Sequence, residues 1–301
     1  MRNNPVKVGV VGVGALGQHH VRVYSESPAA ELVGIYDTNE DHLNEIARTY
    51  NTVPFKELDA LADEAAAISV AVPTDKHFDV GMGLLRKGIH LLVEKPIAAT
   101  TVEAEKMVEL AEDRNLILQV GHIERFNPVI RFMEGNLESP QFIEAVRLAP
   151  YPPPRENQIP RGTEVSVVHD LMIHDLDIIL HIVQSRCKEI HAVGVPVLSP
   201  TEDIANVRLL FENGCVANLT ASRISMEKTR KIRVFQKDTY MSLDYLRQSG
   251  QLYTKQGRSI SSSNVPIETG EPLPEELEAF LKCVKTKSDP VVSGPVSYTH
   301  S

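Results

Sequence analysis

Two sets of residues in this 301-residue chain have the types and spacing to move protons and hydride. Asp170, His174, Asp177 and His181 recur at i, i+4, i+7 and i+11, so a helix over residues 165–183 carries them on one face. Met172, Leu176, Ile179 and Val183 fall opposite, as an apolar stripe. Such a row admits a solvated polar face, a shared metal ion, or an acid–base His174 oriented by Asp170. In the last case the carboxylate selects the imidazole tautomer and raises its basicity. No fixed third element completes a ligand set, so no metal is expected. The second set is Glu94-Lys95-Pro96, closing the apolar run IHLLVE, counted as the fifth strand of its sheet. A lysine there can hydrogen-bond a substrate hydroxyl and favour alkoxide character during hydride loss, or be an ordinary loop cation. Pro96 restricts Lys95 to extended backbone and makes the bond between them a candidate cis peptide.

The elements that must hold these groups alternate in the first half. VKVGVV (6–11), ELVGIY (31–36), AISVAV (67–72), IHLLVE (89–94) and LILQV (116–120) are continuous apolar runs, the pattern of strands covered on both faces of a parallel sheet. Between them, Asp37-Thr38-Asn39, Thr74 and Thr100-Thr101 precede amphipathic stretches and can cap helices. Strand and helix in alternation predict a doubly wound α/β sheet. Gly12-Val13-Gly14-Ala15-Leu16-Gly17 follows the first strand directly. In that context the first glycine makes a tight turn, the second lets backbone approach a pyrophosphate, and the third permits close helix–strand packing. Asp37, 20 residues after Gly17, ends the second strand. An acid there accepts hydrogen bonds from a ribose and repels a 2′-phosphate, so NAD is expected over NADP.

After Val120 the pattern changes. A helix over 127–137, the strand QFIEAVRLA, a proline-rich loop, the long helix and then six β-rich segments follow, with Glu212-Asn213-Gly214 as a hairpin signal. The expectation is an α+β domain with a largely antiparallel open sheet, so that residues 1–122 and 123–301 form two domains.

Composition excludes several classes. With 31 Lys+Arg against 40 Asp+Glu the net charge is −9, the wrong sign for a nucleic-acid binder. Cys187, Cys215 and Cys283 form no CxxC pair, which fits a reducing compartment and gives neither a disulfide framework nor a zinc site. No apolar run reaches the ~20 residues that span a bilayer. The apolar start is explained by its glycine spacing and not as a signal peptide, so a cytoplasmic location is expected. Cations gather in the second half: Arg155, Arg161, Arg223, Lys228, Arg230, Lys231 and Arg233. They could engage a diphosphate or be ordinary strand-edge charge.

Taken in order, GVGALG, EKP, VGHIERFNP and HDLMIHDLD resemble the Gfo/Idh/MocA family, which includes glucose–fructose oxidoreductase and inositol dehydrogenase. The resemblance implies a Rossmann domain followed by an α+β domain whose open sheet forms homodimers or homotetramers. It places the catalytic residues on Lys95, His174 and Asp170. It sets NAD against Gly12, Gly14, Ala15, Leu16, Gly17, Asp37, Pro73, Thr74, His77, Glu94 and Lys95. Arg125 and Asn127, with Asp170 and His174, become candidate substrate or junction contacts. Within the family, GHIERFNP, VVHDLMIHDLD and SRISMEKTRKIRVFQ are similar to UDP-N-acetylglucosamine 3-dehydrogenases. Those oxidise a sugar hydroxyl to a ketone that an aminotransferase uses in making surface amino sugars. Another polyol or sugar dehydrogenase, or a non-catalytic NAD-dependent regulator, remains open. Near Asp289–Gly294 family members begin a closing helix, whereas this chain reads PVSYTHS and stops, which implies a truncated or altered ending.

Overall fold

The computed structural model describes residues 4–153, 162–163 and 165–294. It divides into two compact units, one running to Ile123 and resuming at Glu271, the other spanning Glu124–Gly270. The first unit is built from β1 (Val6–Val11), α1 (Gly17–Glu26), β2 (Ala30–Tyr36), α2 (Glu40–Tyr50), α3 (Leu58–Glu64) and β3 (Ala67–Val70). It continues through α4 (Thr74–Arg86), β4 (His90–Glu94), α5 (Thr101–Asp113) and β5 (Leu118–Gly121). The five strands form one parallel sheet in the order β2-β1-β3-β4-β5. All four residues of β3 are buried, as are all but Lys7 of β1. That two-sided burial is the physical reason these strands read as unbroken apolar runs. Asn39 caps α2 by accepting the His42 backbone N–H, and Thr100 and Glu103 form a reciprocal capping box on α5. Thr74 is itself helical; Pro73 occupies the cap position of α4.

The second unit holds α6 (Pro128–Gly135), β6 (Phe142–Leu148), a five-residue π turn (Val168–Met172), α7 (Ile173–Val183), β7 (Cys187–Val195) and β8 (Ile204–Phe211). Then come β9 (Val216–Ser222), β10 (Thr229–Phe235), β11 (Thr239–Asp244), β12 (Ser249–Gln256) and β13 (Ser259–Asn264). They make an eight-stranded sheet in the order β13-β12-β11-β10-β6-β9-β8-β7. Every neighbouring pair is antiparallel except β6 and β9. Ile143, Ala145, Val207, Leu209, Ile232 and Val234 alternate inward and pack with Met133, Ile178, Ile179 and Ile182 of the helices. The last helix, α8 (Pro272–Thr286), belongs to the first unit: Leu273, Leu277, Phe280 and Leu281 join the cluster of Val6, Val8, Val10 and Tyr24.

Four expectations are corrected. Residues 271–294 return to the first unit, because the apolar stripe of α8 matches the core around β1; the second unit, expected over 123–301, ends at Gly270. Glu94 ends the fourth strand and not the fifth. The helix expected over 165–183 begins with the π turn instead of regular α geometry. β13, SISSSN, carried no apolar signal because most of its residues are exposed. Arg155, Arg161 and the terminal residues 295–301 lie outside the described residues. Among the described residues no helix is long and apolar enough to cross a membrane.

Candidate active site

The glycine loop has the shape its spacing implies. Gly12 has φ +81°, and a Cβ there would stand 2.8 Å from the Ala71 backbone, so no larger residue fits. A Cβ at Gly17 would lie 1.8 Å from the Gly12 carbonyl oxygen, where α1 packs onto the turn. Gly14 has nothing within 4 Å of its absent side chain, and Ala15 and Leu16 are exposed. This open, backbone-lined approach to the N-terminus of α1 fits the pyrophosphate of NAD. Asp37 stands just beyond β2, its Oδ2 accepting the Val13 N–H at 2.8 Å and its Oδ1 the Asn39 N–H at 2.9 Å. It therefore braces the glycine loop from just beyond the end of β2.

Lys95 is half-buried at the end of β4, and the Lys95–Pro96 peptide is cis, as the sequence indicated. Glu94 beside it turns to His20, with Oε1 and Nε2 3.1 Å apart. Burial alone would raise the Glu94 carboxyl, but His20 and the Lys95 ammonium outweigh it and hold the group below its ordinary value. His77 is only 1% exposed. Its ring nitrogens lie 2.8 Å from the Pro96 and the Val72 carbonyl oxygens. Burial lowers its proton affinity and the two carbonyls oppose that. His77 thus ties the β3–α4 turn to the Lys95–Pro96 turn, with both ring nitrogens engaged. Pro73 and Thr74 remain accessible on that turn.

In the second unit the row on the long helix splits. Asp170 sits in the π turn and His174 in the first turn of α7, both half-buried. Asp177 is 1% exposed and receives Arg125 through Nε at 2.5 Å and Nη2 at 3.0 Å. His181 pairs with Glu134 of α6 at 2.6 Å. The four residues therefore do not share one solvent-facing surface: the π turn alters the registration of Asp170, and within α7 Asp177 is buried against Arg125 while His181 meets Glu134. Arg125 and Asn127, expected as substrate or junction contacts, are both buried and engaged inside the second unit. Asn127 is buried, caps α6 by accepting the Val129 N–H, and donates to Glu124 and to the Tyr245 carbonyl.

Sequence reasoning missed the charge network beneath this helix. Arg147 is 2% exposed and makes a bidentate pair with Asp175 at 2.9 and 3.0 Å. Its Nη1 donates to Glu124, which also receives Arg230 at 3.3 Å. One signal was available: in FIEAVRL, Arg147 takes the same inward parity as Ile143 and Ala145. The cations expected to form one diphosphate-binding group are likewise dispersed. Arg223 is 2% exposed and paired with Asp203, Arg230 faces inward to Glu124, and Lys231 and Arg233 take the opposite face of β10.

Comparisons with known proteins agree with this geometry. Residues 6–122 match a family model described as "Oxidoreductase family, NAD-binding Rossmann fold", and residues 132–239 match the GFO/IDH/MocA C-terminal domain. A UDP-N-acetylglucosamine 3-dehydrogenase of Acidithiobacillus ferrooxidans is 34% identical over 286 residues, covering 93% of this chain and 88% of that protein. Its crystal form GnnA superposes with a TM-score of 0.92 at 33% identity, covering 99% and 94% of the two chains. A myo-inositol 2-dehydrogenase of Thermotoga maritima is 25% identical over 308 residues, covering 96% and 91%. A parallel sheet with its glycine loop and acid, a mixed second sheet, and matches spanning both halves lead to one conclusion: the chain belongs to the Gfo/Idh/MocA family of NAD-binding oxidoreductases.

Proposed function

We propose that this chain oxidises the 3-hydroxyl of UDP-N-acetylglucosamine, or of a close nucleotide sugar, to a ketone. The observation that carries the reading is the near full-length similarity to a UDP-N-acetylglucosamine 3-dehydrogenase at 34% identity, against 25% for the inositol enzyme over comparable coverage. Gly12, Gly14, Ala15, Leu16 and Gly17 would hold the NAD pyrophosphate and Asp37 the adenosine ribose. When bound, NAD supplies the acceptor for the hydride that leaves the sugar carbon. Lys95 donates a hydrogen bond to the hydroxyl oxygen and stabilises its developing negative charge. His174 takes the hydroxyl proton as the C–O bond becomes a carbonyl, and Asp170 orients the imidazole. The keto sugar then suits an aminotransferase in amino-sugar synthesis, in a cytoplasmic setting.

Assembly as a homodimer or homotetramer through the eight-stranded sheet is part of the same reading. It is supported by a row of rings running across β6, β10, β11 and β12. Phe235 and Tyr240 stack at 4.8 Å between centroids, Tyr240 and Tyr253 at 4.1 Å, and Phe142 leans on Phe235 at 5.7 Å. Such a half-exposed aromatic row suits a protein interface.

Absorbance at 340 nm with NAD and a panel of UDP-N-acetylglucosamine, its uronic acid, myo-inositol and glucose tests the function. Coupling to a keto-sugar aminotransferase with glutamate keeps an unfavourable equilibrium from hiding turnover. Signal with the nucleotide sugars alone is expected. Signal with inositol or glucose replaces the substrate assignment, and silence with NAD binding intact points to a regulator.

A further inference from the structure

The guanidinium of Arg223 is buried beyond the end of β9, at the place where the chain enters the π turn that carries Asp170. All five of its N–H donors are used. Nε donates to Asp203 Oδ1 at 2.7 Å, and Nη2 donates to the Ser199 and Thr201 hydroxyl oxygens at 2.8 Å each. Nη1 donates to the backbone carbonyls of Gly162 at 2.5 Å and Val165 at 2.7 Å. The acceptors are themselves fixed. Asp203 is fully buried, and its Oδ2 accepts the N–H groups of Val197, Leu198 and Ser199. Thr201 passes its own hydroxyl hydrogen to the Val165 carbonyl, and the Glu202 carbonyl accepts the Val167 N–H at 2.9 Å. The β7–β8 turn and Arg223 therefore grip the backbone just ahead of the π turn at several successive points.

Gly162 links that grip to the carboxylate. It has φ +83°, and a Cβ built on it would stand 2.7 Å from Asp170 Oδ2 and 3.1 Å from Asp170 Cγ. The backbone at Gly162 thus lies directly on the Asp170 carboxyl, at a distance only glycine allows, and the carbonyl of that same residue is held by Arg223. A π turn is a less regular scaffold than an α-helix, so its side chains depend more on such outside support.

We infer that Arg223 is a positioning residue for Asp170, acting through the Gly162 backbone to fix the carboxylate that orients His174. The inference rests on the role of Asp170 proposed above. Arg223 has no donor left for a diphosphate, because every one is spent inside the fold.

Steady-state kinetics with UDP-N-acetylglucosamine and NAD on Asp170→Asn, Arg223→Met, Gly162→Ala and each single change combined with Asp170→Asn test it. Arg223→Met and Gly162→Ala are expected to lower kcat at least 10-fold while the NAD dissociation constant and the sugar KM stay within about 3-fold of wild type. Added to Asp170→Asn, either change is expected to lower kcat by less than 3-fold further, since the group it would misplace is already disabled. Multiplying losses would show a general effect on the fold and overturn the inference. Arg223→Lys keeps a cation opposite Asp203 but loses the fork that holds the Gly162 and Val165 carbonyls, so it decides the matter should Arg223→Met fail to fold; wild-type turnover in Gly162→Ala or in Arg223→Lys overturns the inference. Wild-type turnover in Asp170→Asn removes the reading of Asp170, and this inference with it.

Discussion

Lys95 illustrates how much a single position depends on its neighbours. Its backbone is fixed on one side by β4 and on the other by the Pro96 carbonyl, which His77 engages at 2.8 Å. Glu94 faces both His20 and the Lys95 ammonium, and in the proposed reaction that ammonium stabilises the developing alkoxide. Lys95→Ala should lower kcat by about two orders of magnitude or more, within the range for loss of a group that stabilises transition-state charge. NAD affinity should hardly change, because the pyrophosphate and ribose contacts lie at the glycine loop and Asp37. Stopped-flow turnover with nicotinamide fluorescence titration checks both; wild-type turnover would remove Lys95 from the reaction.

At the scale of one helix, α8 carries an unusual load. Glu276 on it is fully buried, and neither carboxylate oxygen has a hydrogen-bond partner. Burial, with the Glu94 charge adding to it, pushes the Glu276 pKa well above its ordinary 4.5. The folded protein therefore keeps a proton that the unfolded chain releases above about pH 4.5, and stability falls as pH rises from that point toward the folded pKa. Glu276→Gln removes that titration without changing shape. Its melting temperature should match wild type near pH 4 and exceed it by a growing margin toward pH 7, read from thermal melts across that range. A constant difference at all pH values would mean that Glu276 does not titrate on folding.

At the scale of the whole molecule, the apolar cluster around β1 and α8 is distinct from the one against the inner face of the eight-stranded sheet. Phe280 is fully buried in the first. Truncating it to Ala should cost about 3–5 kcal/mol through lost transfer energy and the cavity left behind. Because the clusters are distinct, hydrogen exchange should quicken in β1, β3 and β4 while β8 and β9 keep their protection. Equal loss of protection in both sheets would show that the two cores unfold as one cooperative unit.

The amino-acid sequence determined the elements whose signals are local. Continuous apolar runs marked the buried parallel strands, GVGALG marked the turn into α1, and Glu212-Asn213-Gly214 marked the β8–β9 hairpin, where Gly214 has φ +85°. A succession of β-rich segments foretold most of the second sheet. Only the tertiary structure decided which charged residues remain free to act. Arg125 finds Asp177 across 52 residues, Arg147 finds Asp175 across 28, and Arg223 finds Gly162 across 61. Residue type cannot distinguish an arginine that binds a ligand from one that holds the fold, since the same fork of donors serves both. What separates them is burial and the count of donors already satisfied. Both are set by chain segments far apart in sequence, which is also why the return of α8 to the first core was invisible until the chain was folded.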